Sequence, residues 1–431
     1  MTGQPRDLVG VGIGPVNLAL AALADGAALD TLFLDQRPEF SWHPGLLIDG
    51  TTLQVPFLAD LVTLVDPTSR WSFLAYLRAH DRLFPFYFAE RFHVPRREYD
   101  HYCRWVADSL PQCRFGARVD GLRWAPASGC FEVDYVLLPA GARRRALARN
   151  VVLGVGAAPV VPPAFVDLVG KRVFHAAHYV DNRPALSGAR DITVVGSGQS
   201  GAEVFLDLLR GQPEAGWRLR WLTRTRAFAP MEHSKLGLEH FTPDYARYFR
   251  SLPERIRDRL APAQWQLYKG ISAHTMAEIY DLLYERSVGG GRADATLLPN
   301  VEVTRAVRTG DGYQLGCRQT QQERDFTVAT DAVVLATGYA ARRPDFLAGL
   351  AGLVDWDAQG RYRVGADYRV ALNARVAGGL YVQNAELHTH GVGAPDLGLG
   401  AWRAATILNA VAGRQVHDLP MATAFTSFGV A

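Results

Sequence analysis

The chain has 431 residues, 48% of them hydrophobic and 21% charged, with a formal net charge of +3. That length holds two or three domains at roughly 100–200 residues each, with cores large enough to need no metal or disulfide staple. The small, evenly spread charge excludes a nucleic-acid or membrane-surface footprint. Cys103, Cys113, Cys130 and Cys317 form no CxxC pair and no Cys/His cluster, so neither a zinc site nor a redox-active dithiol is expected. Free thiols point to a reducing, cytoplasmic setting. No run of about 18 uncharged apolar residues suggests a membrane span. A first strand at Asp7 leaves no room for a leader peptide.

The first element is a short apolar strand, Asp7-Leu8-Val9-Gly10-Val11-Gly12, running into glycines. An alanine- and leucine-rich helix follows from Pro15 to Leu23, then the strand Thr31-Leu32-Phe33-Leu34 with Asp35 at its end. Together they make a βαβ unit. Helical patterns fall near 69–80 and 97–110, and strand-like runs at 131–138 and 151–155. The densest charge run, Arg143-Arg144-Arg145, is expected in a solvated turn. A second βαβ unit opens at Asp191-Ile192-Thr193-Val194-Val195-Gly196. It continues through a helix from about Gly201 to Arg210 and closes on the strand Arg218-Leu219-Arg220-Trp221-Leu222-Thr223. From 226 to 286, aromatic- and charge-rich helices with several prolines read as an insertion over a site. Strands resume near 299–318, Val333-Val334-Leu335 runs into Ala336-Thr337-Gly338, and an amphipathic helix extends from Gly400 to Asn409. The fold class is α/β, with two Rossmann-like dinucleotide-binding domains and a smaller, mostly helical substrate-binding region. The expected boundaries are 1–160 with 330–431 for the first domain, 165–225 with 287–330 for the second, and 226–286 for the helical region.

Gly12-Ile13-Gly14-Pro15-Val16-Asn17 has the GxGxx shape, with Asn17 where a third glycine usually stands. The first glycine makes the tight turn, and the second lets the backbone approach a pyrophosphate on the helix N-terminus. Asn17 is expected to keep helix and strand close at the cost of slightly looser packing. Asp35, 21 residues past Gly14, stands where a carboxylate holds a ribose hydroxyl. Gly196-Ser197-Gly198-Gln199-Ser200-Gly201 is a full GxGxxG. Its following strand ends in Thr223-Arg224-Thr225-Arg226, with no acid, and an arginine there suits a 2′-phosphate. Two such units fit a flavoprotein carrying FAD on the first loop and NADPH on the second.

Five motifs carry a resemblance: Phe40-Ser41-Trp42-His43-Pro44-Gly45; Leu53-Gln54-Val55-Pro56-Phe57-Leu58-Ala59-Asp60-Leu61; the second glycine loop; Ala336-Thr337-Gly338-Tyr339; and Thr389-His390-Gly391. From about residue 7 to 415 the chain resembles the class B flavin N-hydroxylating monooxygenases of siderophore biosynthesis, which act on lysine, ornithine or aliphatic diamines. The resemblance implies that the loop with Trp42 and His43 contacts FAD, with Gln54 near the isoalloxazine and Thr337, Gly338, Leu397 and Gly398 lining the same cofactor. It implies that Ser200 and Arg224 hold NADPH and that Lys269-Gly270-Ile271-Ser272 approaches nicotinamide and substrate, with Gln54 and Lys269 as catalytic candidates. It also implies the chemistry. NADPH reduces FAD, and reduced flavin with O₂ gives a C4a-hydroperoxide whose distal oxygen a neutral primary amine attacks. The cofactor carries the hard step, so no protein nucleophile is needed. His43 and His390 are read as cofactor-loop packing. Family members often form tetramers or dimers.

Departures from the family pattern suggest the substrate. Amino-acid hydroxylases of the family carry a lysine in Phe-Leu-Lys-Asp that pairs with the substrate carboxylate; this chain has Ala59. Burying that carboxylate without its cation is costly. A Leu-Ser pair near the family's C-terminus is here Leu397-Gly398, with Asp396 just before it. Fewer cations and one more anion suit a diamine such as putrescine or cadaverine. Asp396 is the first candidate to anchor its second ammonium, and Glu232 and Glu239 come next. The same Asp396 also reads as a solvated loop acid or a helix N-cap. L-lysine N6-hydroxylation is the alternative. A disulfide reductase on the same fold would need the missing cysteine pair.

Overall fold

The computed structural model describes residues 4–430 apart from 292 and 374. The strand Arg6–Val11 lies parallel between Thr31–Leu34 and Ala142–Leu153, with Leu8 opposite both Thr31 and Asn150. The helix Pro15–Ala24 is buried along nearly its whole length. Apolar side chains on every face fit a helix enclosed on all sides. It is clasped between the sheet and the helices Arg96–Ser109 and Gly400–Ala412. Gly379–Val382 returns late in the chain to pair with Ala142–Leu153, which joins residues 345–412 to this first core.

Two antiparallel strands, Ala117–Ala125 and Cys130–Leu137, extend the same sheet. The three arginines at 143–145 do not form a turn. They begin the strand Ala142–Leu153, where Asp134 on the neighbouring strand accepts from Arg145 Nε at 2.6 Å. Cross-strand ion pairing gives the run an extended alternative to solvation in a loop.

The second unit is a five-stranded parallel sheet in the order Ala295–Leu298, Arg218–Leu222, Asp191–Val195, Ala332–Leu335, Val173–His175. Ala332–Leu335 therefore lies in the second unit, past the expected boundary at 330. It is buried on both faces, and such a run carries no periodicity to say which parallel sheet it joins. The crossing between units falls just beyond it, where Tyr339–Ala341 pairs antiparallel with Ala157–Pro159. A three-stranded meander, Val301–Thr309, Gly312–Gln319 and Arg324–Thr330, packs on the flank with Phe165.

The 226–286 segment is helical but is not one body. Tyr245 and Phe249, on the helix Pro243–Ser251, form a small separate core with Ala261, Leu267 and Val392. The helix Ala273–Ser287 instead sends Ile279 into the core of the second unit, beneath the helix Gln199–Ala215. Leu46 and Ile48, which follow the 42–45 loop of the first unit, are buried in that second core as well. Among the described residues no helix is long and apolar enough to cross a membrane.

Candidate functional site

One cleft of about 1940 Å³ runs between the two units and takes walls from both glycine loops. Gly12, Gly14, Pro15, Asp35, Trp42, His43 and Gln54 line it from the first unit. Gly196, Gly198, Gln199, Ser200, Arg224 and Lys269 line it from the second, with Thr337, Gly338 and Leu397 also on the wall. Asn17, Gly201, Gly398, Ala59, Asp396, Glu232 and Glu239 are not on that wall.

The first loop fits a pyrophosphate. Gly12 takes φ +88°, and a Cβ there would overlap the carbonyl of Gly154. A Cβ on Gly14 would meet nothing within 4 Å, so the helix N-terminus stays open to an anion. Asn17 does not loosen the packing. It is fully buried, its Nδ2 donating to Gly12 O at 2.8 Å and Val11 O at 3.2 Å, while its Oδ1 accepts from Gln383 Nε2 at 2.7 Å. The amide fills the third-glycine position with hydrogen bonds to the loop itself. Asp35 also works within the loop. It accepts from Ile13 N at 2.7 Å, Arg37 N at 2.8 Å, Arg37 Nε at 3.0 Å and Arg37 Nη2 at 2.9 Å. Burial pushes its carboxyl up, but the bonds and charge of Arg37 and the Ile13 N–H outweigh this and hold it below the usual range. Arg37, absent from the sequence reading, ties that carboxylate to Ile13 O and Ser41 O.

Trp42 N donates to Asp100 Oδ1 at 2.7 Å, and its ring meets His43 at 5.0 Å and Tyr99 at 5.1 Å, both edge-on. His43 takes the left-handed conformation, φ 48°. Its ring is open to the cleft but walled by Trp42 and Tyr339. Desolvation first, then the charges of Arg96 and Arg37, push it down to about 4. Gln54 Nε2 donates to Thr52 O at 3.1 Å, fixing its amide at the cleft edge. Tyr339, on the crossing strand, lies between His43 at 5.8 Å and His175 at 5.1 Å. His390 packs away from the cleft, stacked on Tyr368 at 4.4 Å, and burial lowers it to about 3.

At the second loop a Cβ on Gly201 would overlap Gly196 O, the close helix approach expected of a third glycine. Arg224 is exposed on the cleft wall just past the strand Arg218–Leu222. Its chain neighbours Thr223 and Thr225 join hydroxyls with Ser197 at 2.8–2.9 Å. An exposed cation on the cleft wall, with no carboxylate at the strand end, fits a 2′-phosphate.

Of the three acids considered for the substrate ammonium, two are engaged elsewhere. Glu239 accepts from Phe425 N at 3.0 Å and Thr426 N at 2.9 Å, and it also accepts from the Thr426 hydroxyl. It clasps the C-terminal tail, far along the chain from anything its local sequence could indicate. Glu232 is exposed and turns back on its own loop at Ser234 N. Asp396 is partly buried. Its Oδ1 accepts from Gly398 N at 2.7 Å, and burial pushes its carboxyl up against the pull of Gly398 and the positive charges of His233 and Arg403. Ala59 is buried, 5% exposed. Burial first, then Cys103 and the carboxylates of Asp60 and Asp396, push the Tyr99 hydroxyl well up. Tyr99 in turn backs the Trp42 ring.

Arg403 was not anticipated. Its guanidinium, 1% exposed, sits 2.8 Å from Glu386, donates to Ala394 O and reaches Gln383, which binds Asn17. The first glycine loop is thereby wired to the loop that carries Asp396. A single charge in the apolar run Gly400-Ala401-Trp402-Arg403-Ala404-Ala405 was the available signal.

Two units built on parallel βαβ cores, facing each other across one cleft and each with its own glycine loop, define a two-dinucleotide flavoprotein oxidoreductase. The family model for L-lysine 6-monooxygenase/L-ornithine 5-monooxygenase matches residues 4–341, and the chain belongs to that family. It is 45% identical to the rhizobactin siderophore biosynthesis protein RhbE of Rhizobium meliloti, over 98% of this chain and 95% of the relative. It is 41% identical to a putrescine N-hydroxylase of Shewanella oneidensis, over 98% and 84%. The FAD-bound crystal structure of the cadaverine monooxygenase DfoA from Erwinia amylovora superposes with a TM-score of 0.96 at 37% identity, covering 100% of this chain and 99% of that one. An ornithine N-hydroxylase from Kutzneria, solved with reduced FAD, NADP⁺ and L-ornithine, gives 0.88 at 27%, over 95% and 99%. The protein is an NADPH-dependent flavin N-monooxygenase that uses FAD and NADPH.

Proposed function

We propose that the protein hydroxylates one primary amine of an aliphatic diamine, putrescine or cadaverine, and so supplies an N-hydroxydiamine for hydroxamate siderophore assembly. The observation that carries this is Ala59, buried where the amino-acid hydroxylases of the family carry a lysine, together with Asp396, the partly buried acid next to Leu397 of the cleft wall. A carboxylate short of water gains most from an ammonium partner, whereas an amino-acid substrate would bring a second carboxylate and no cation to meet it. The names of the putrescine and cadaverine relatives agree with this reading.

The first unit is the FAD domain in this reading and the second the NADPH domain. Reduced flavin supplies the oxygen-transfer chemistry when bound. The chain's part is to keep the reacting amine neutral, orient it beside Gln54 and Lys269, and exclude water. Asp396 holds the far ammonium. Self-association as a dimer or tetramer is supported by the helix Leu83–Ala89, which buries none of its residues and exposes Phe84, Tyr87 and Phe88.

A substrate screen tests the reading. Putrescine, cadaverine, lysine and ornithine are compared by hydroxylamine formed per NADPH oxidised, in the wild type and in Ala59→Lys. The wild type should convert a diamine with near-stoichiometric coupling. The variant should lose about tenfold or more in kcat/KM for that diamine, because it sets a cation beside the second ammonium. Peroxide alone with every amine refutes N-hydroxylation of these substrates. A wild-type preference for lysine refutes the diamine.

A further inference from the structure

We propose that Glu203 is a positioning residue for the nicotinamide end of NADPH, fixing the second glycine loop and the 269–272 segment against the flavin-side unit. Glu203 lies on the helix Gln199–Ala215, one turn past the loop, with its side chain 3% exposed. Its Oε2 stands 2.8 Å from Arg96 Nη1, the residue that begins the helix Arg96–Ser109 of the first unit and is itself 10% exposed. Its Oε1 accepts from Gln199 Nε2 at 2.8 Å. The same Nε2 reaches Thr275 Oγ1 at 3.0 Å, and Gln199 Oε1 accepts from Ser272 N at 2.7 Å.

One carboxylate thus joins three segments distant in sequence. Arg96 is in turn held to the flavin side, its N–H donating to Thr51 O at 3.0 Å and its charge bearing on His43. On the other side, a Cβ at Gly198 would stand 3.5 Å from Lys269 O, so the 269–272 segment rests directly on the glycine loop. A buried ion pair is a weak way to add stability, since desolvation offsets most of its attraction; its best-attested use is to fix registry. What it registers here is the part of the second loop facing the flavin wall. Arg224, at the adenosine end, takes no part in the network.

The proposal rests on NADPH occupying the 196–201 loop, and its test separates the two ends of that molecule. FAD-loaded Glu203→Gln and Arg96→Met are titrated with 2′,5′-ADP, which has only the adenosine end, and with NADP⁺. FAD content and 2′,5′-ADP affinity should match the wild type, while NADP⁺ affinity falls about tenfold and hydroxylamine per NADPH drops. The double variant should be no worse than either single one. Equal weakening of both ligands, or unchanged NADP⁺ affinity, overturns the proposal. If a variant of the pair does not hold FAD, Thr275→Val carries the test. It leaves the buried pair intact and removes one anchor of Gln199. It should show the same selective loss, and its absence overturns the proposal. Failure of the wild type to bind 2′,5′-ADP overturns the placement of NADPH on this loop, and the proposal with it.

Discussion

His175 is held neutral by burial and by the hydrogen bond that its Nδ1 accepts. Nδ1 accepts from Ala177 N at 3.0 Å, so Nε2 carries the proton toward Gly338 O at 3.1 Å. Protonating Nδ1 breaks the first bond and charges a ring that is 3% exposed, and burial accordingly pushes His175 down to about 4. The folded pKa lies below the unfolded one, so the unfolded chain binds more protons between about pH 4 and 6.5. Stability from this residue is fully present above pH 6.5 and is lost as pH falls toward 4. A shift of that size is worth about 3 kcal/mol. His390 acts with the same sign. Urea midpoints should therefore fall steeply from pH 7 to 4.5 in the wild type and more gently in His175→Gln. Parallel slopes would remove His175 from the account. Nothing in the sequence marked this histidine, because its partners lie across a crossing that only the assembled fold creates. Arg37 and Arg403 were more accessible: one stands two residues past a ribose-position acid, and the other is a lone charge in an apolar helix.

The tail after the helix Gly400–Ala412 is an element whose role depends wholly on what it crosses. Its Thr423 N–H and hydroxyl donate to Asp244, its Phe425 and Thr426 N–H groups donate to Glu239, and Phe428 packs its ring 5.0 Å from Tyr245 and 6.1 Å from Tyr248. These contacts strap the helix Pro243–Ser251 and the turn Gly237–Phe241, the latter approaching Gly393 at the base of the Asp396 loop. Phe428→Ala removes a half-buried ring and should cost roughly 1–3 kcal/mol, below the range for a fully buried phenylalanine. Because the strap bears on the loop proposed to hold the substrate ammonium, amide exchange should quicken across 237–251 and the amine KM should rise, while NADPH oxidation without amine stays as it was. An unchanged KM with quickened exchange would confine the strap to stability. The βαβ units were legible because a short apolar run, a glycine turn and an apolar helix mark them within about 30 residues. The tail and the sheet membership of Ala332–Leu335 were not, since each is settled by a partner 100 or more positions away.

At the scale of the whole molecule the two units have separate cores but share a seam. Leu8, Leu20 and Ile407 belong to one core, and Val194, Phe205 and Trp221 to the other. Across the seam run Leu46 and Ile48, buried in the second core although they follow the flavin-side loop. Gly45 lies against the Ala177 carbonyl so closely that any Cβ would overlap it. Leu46, Ile48 and the Arg96–Glu203 pair cross it buried, and a buried stitch couples two domains more strongly than a polar, solvent-filled contact of the same area. FAD bound against the 42–45 loop, as proposed, would therefore bear on the second unit too. In the wild type, FAD at 100 times its Kd should raise unfolding by about 2.7 kcal/mol in a single transition that includes the second sheet. Gly45→Ala forces the loop off Ala177, and calorimetry of that variant should resolve two transitions, only the first of them moved by FAD. Two independently shifted transitions in the wild type would mean that the seam carries no cooperativity, and that the flavin and nicotinamide sites are aligned by their ligands instead of by the fold.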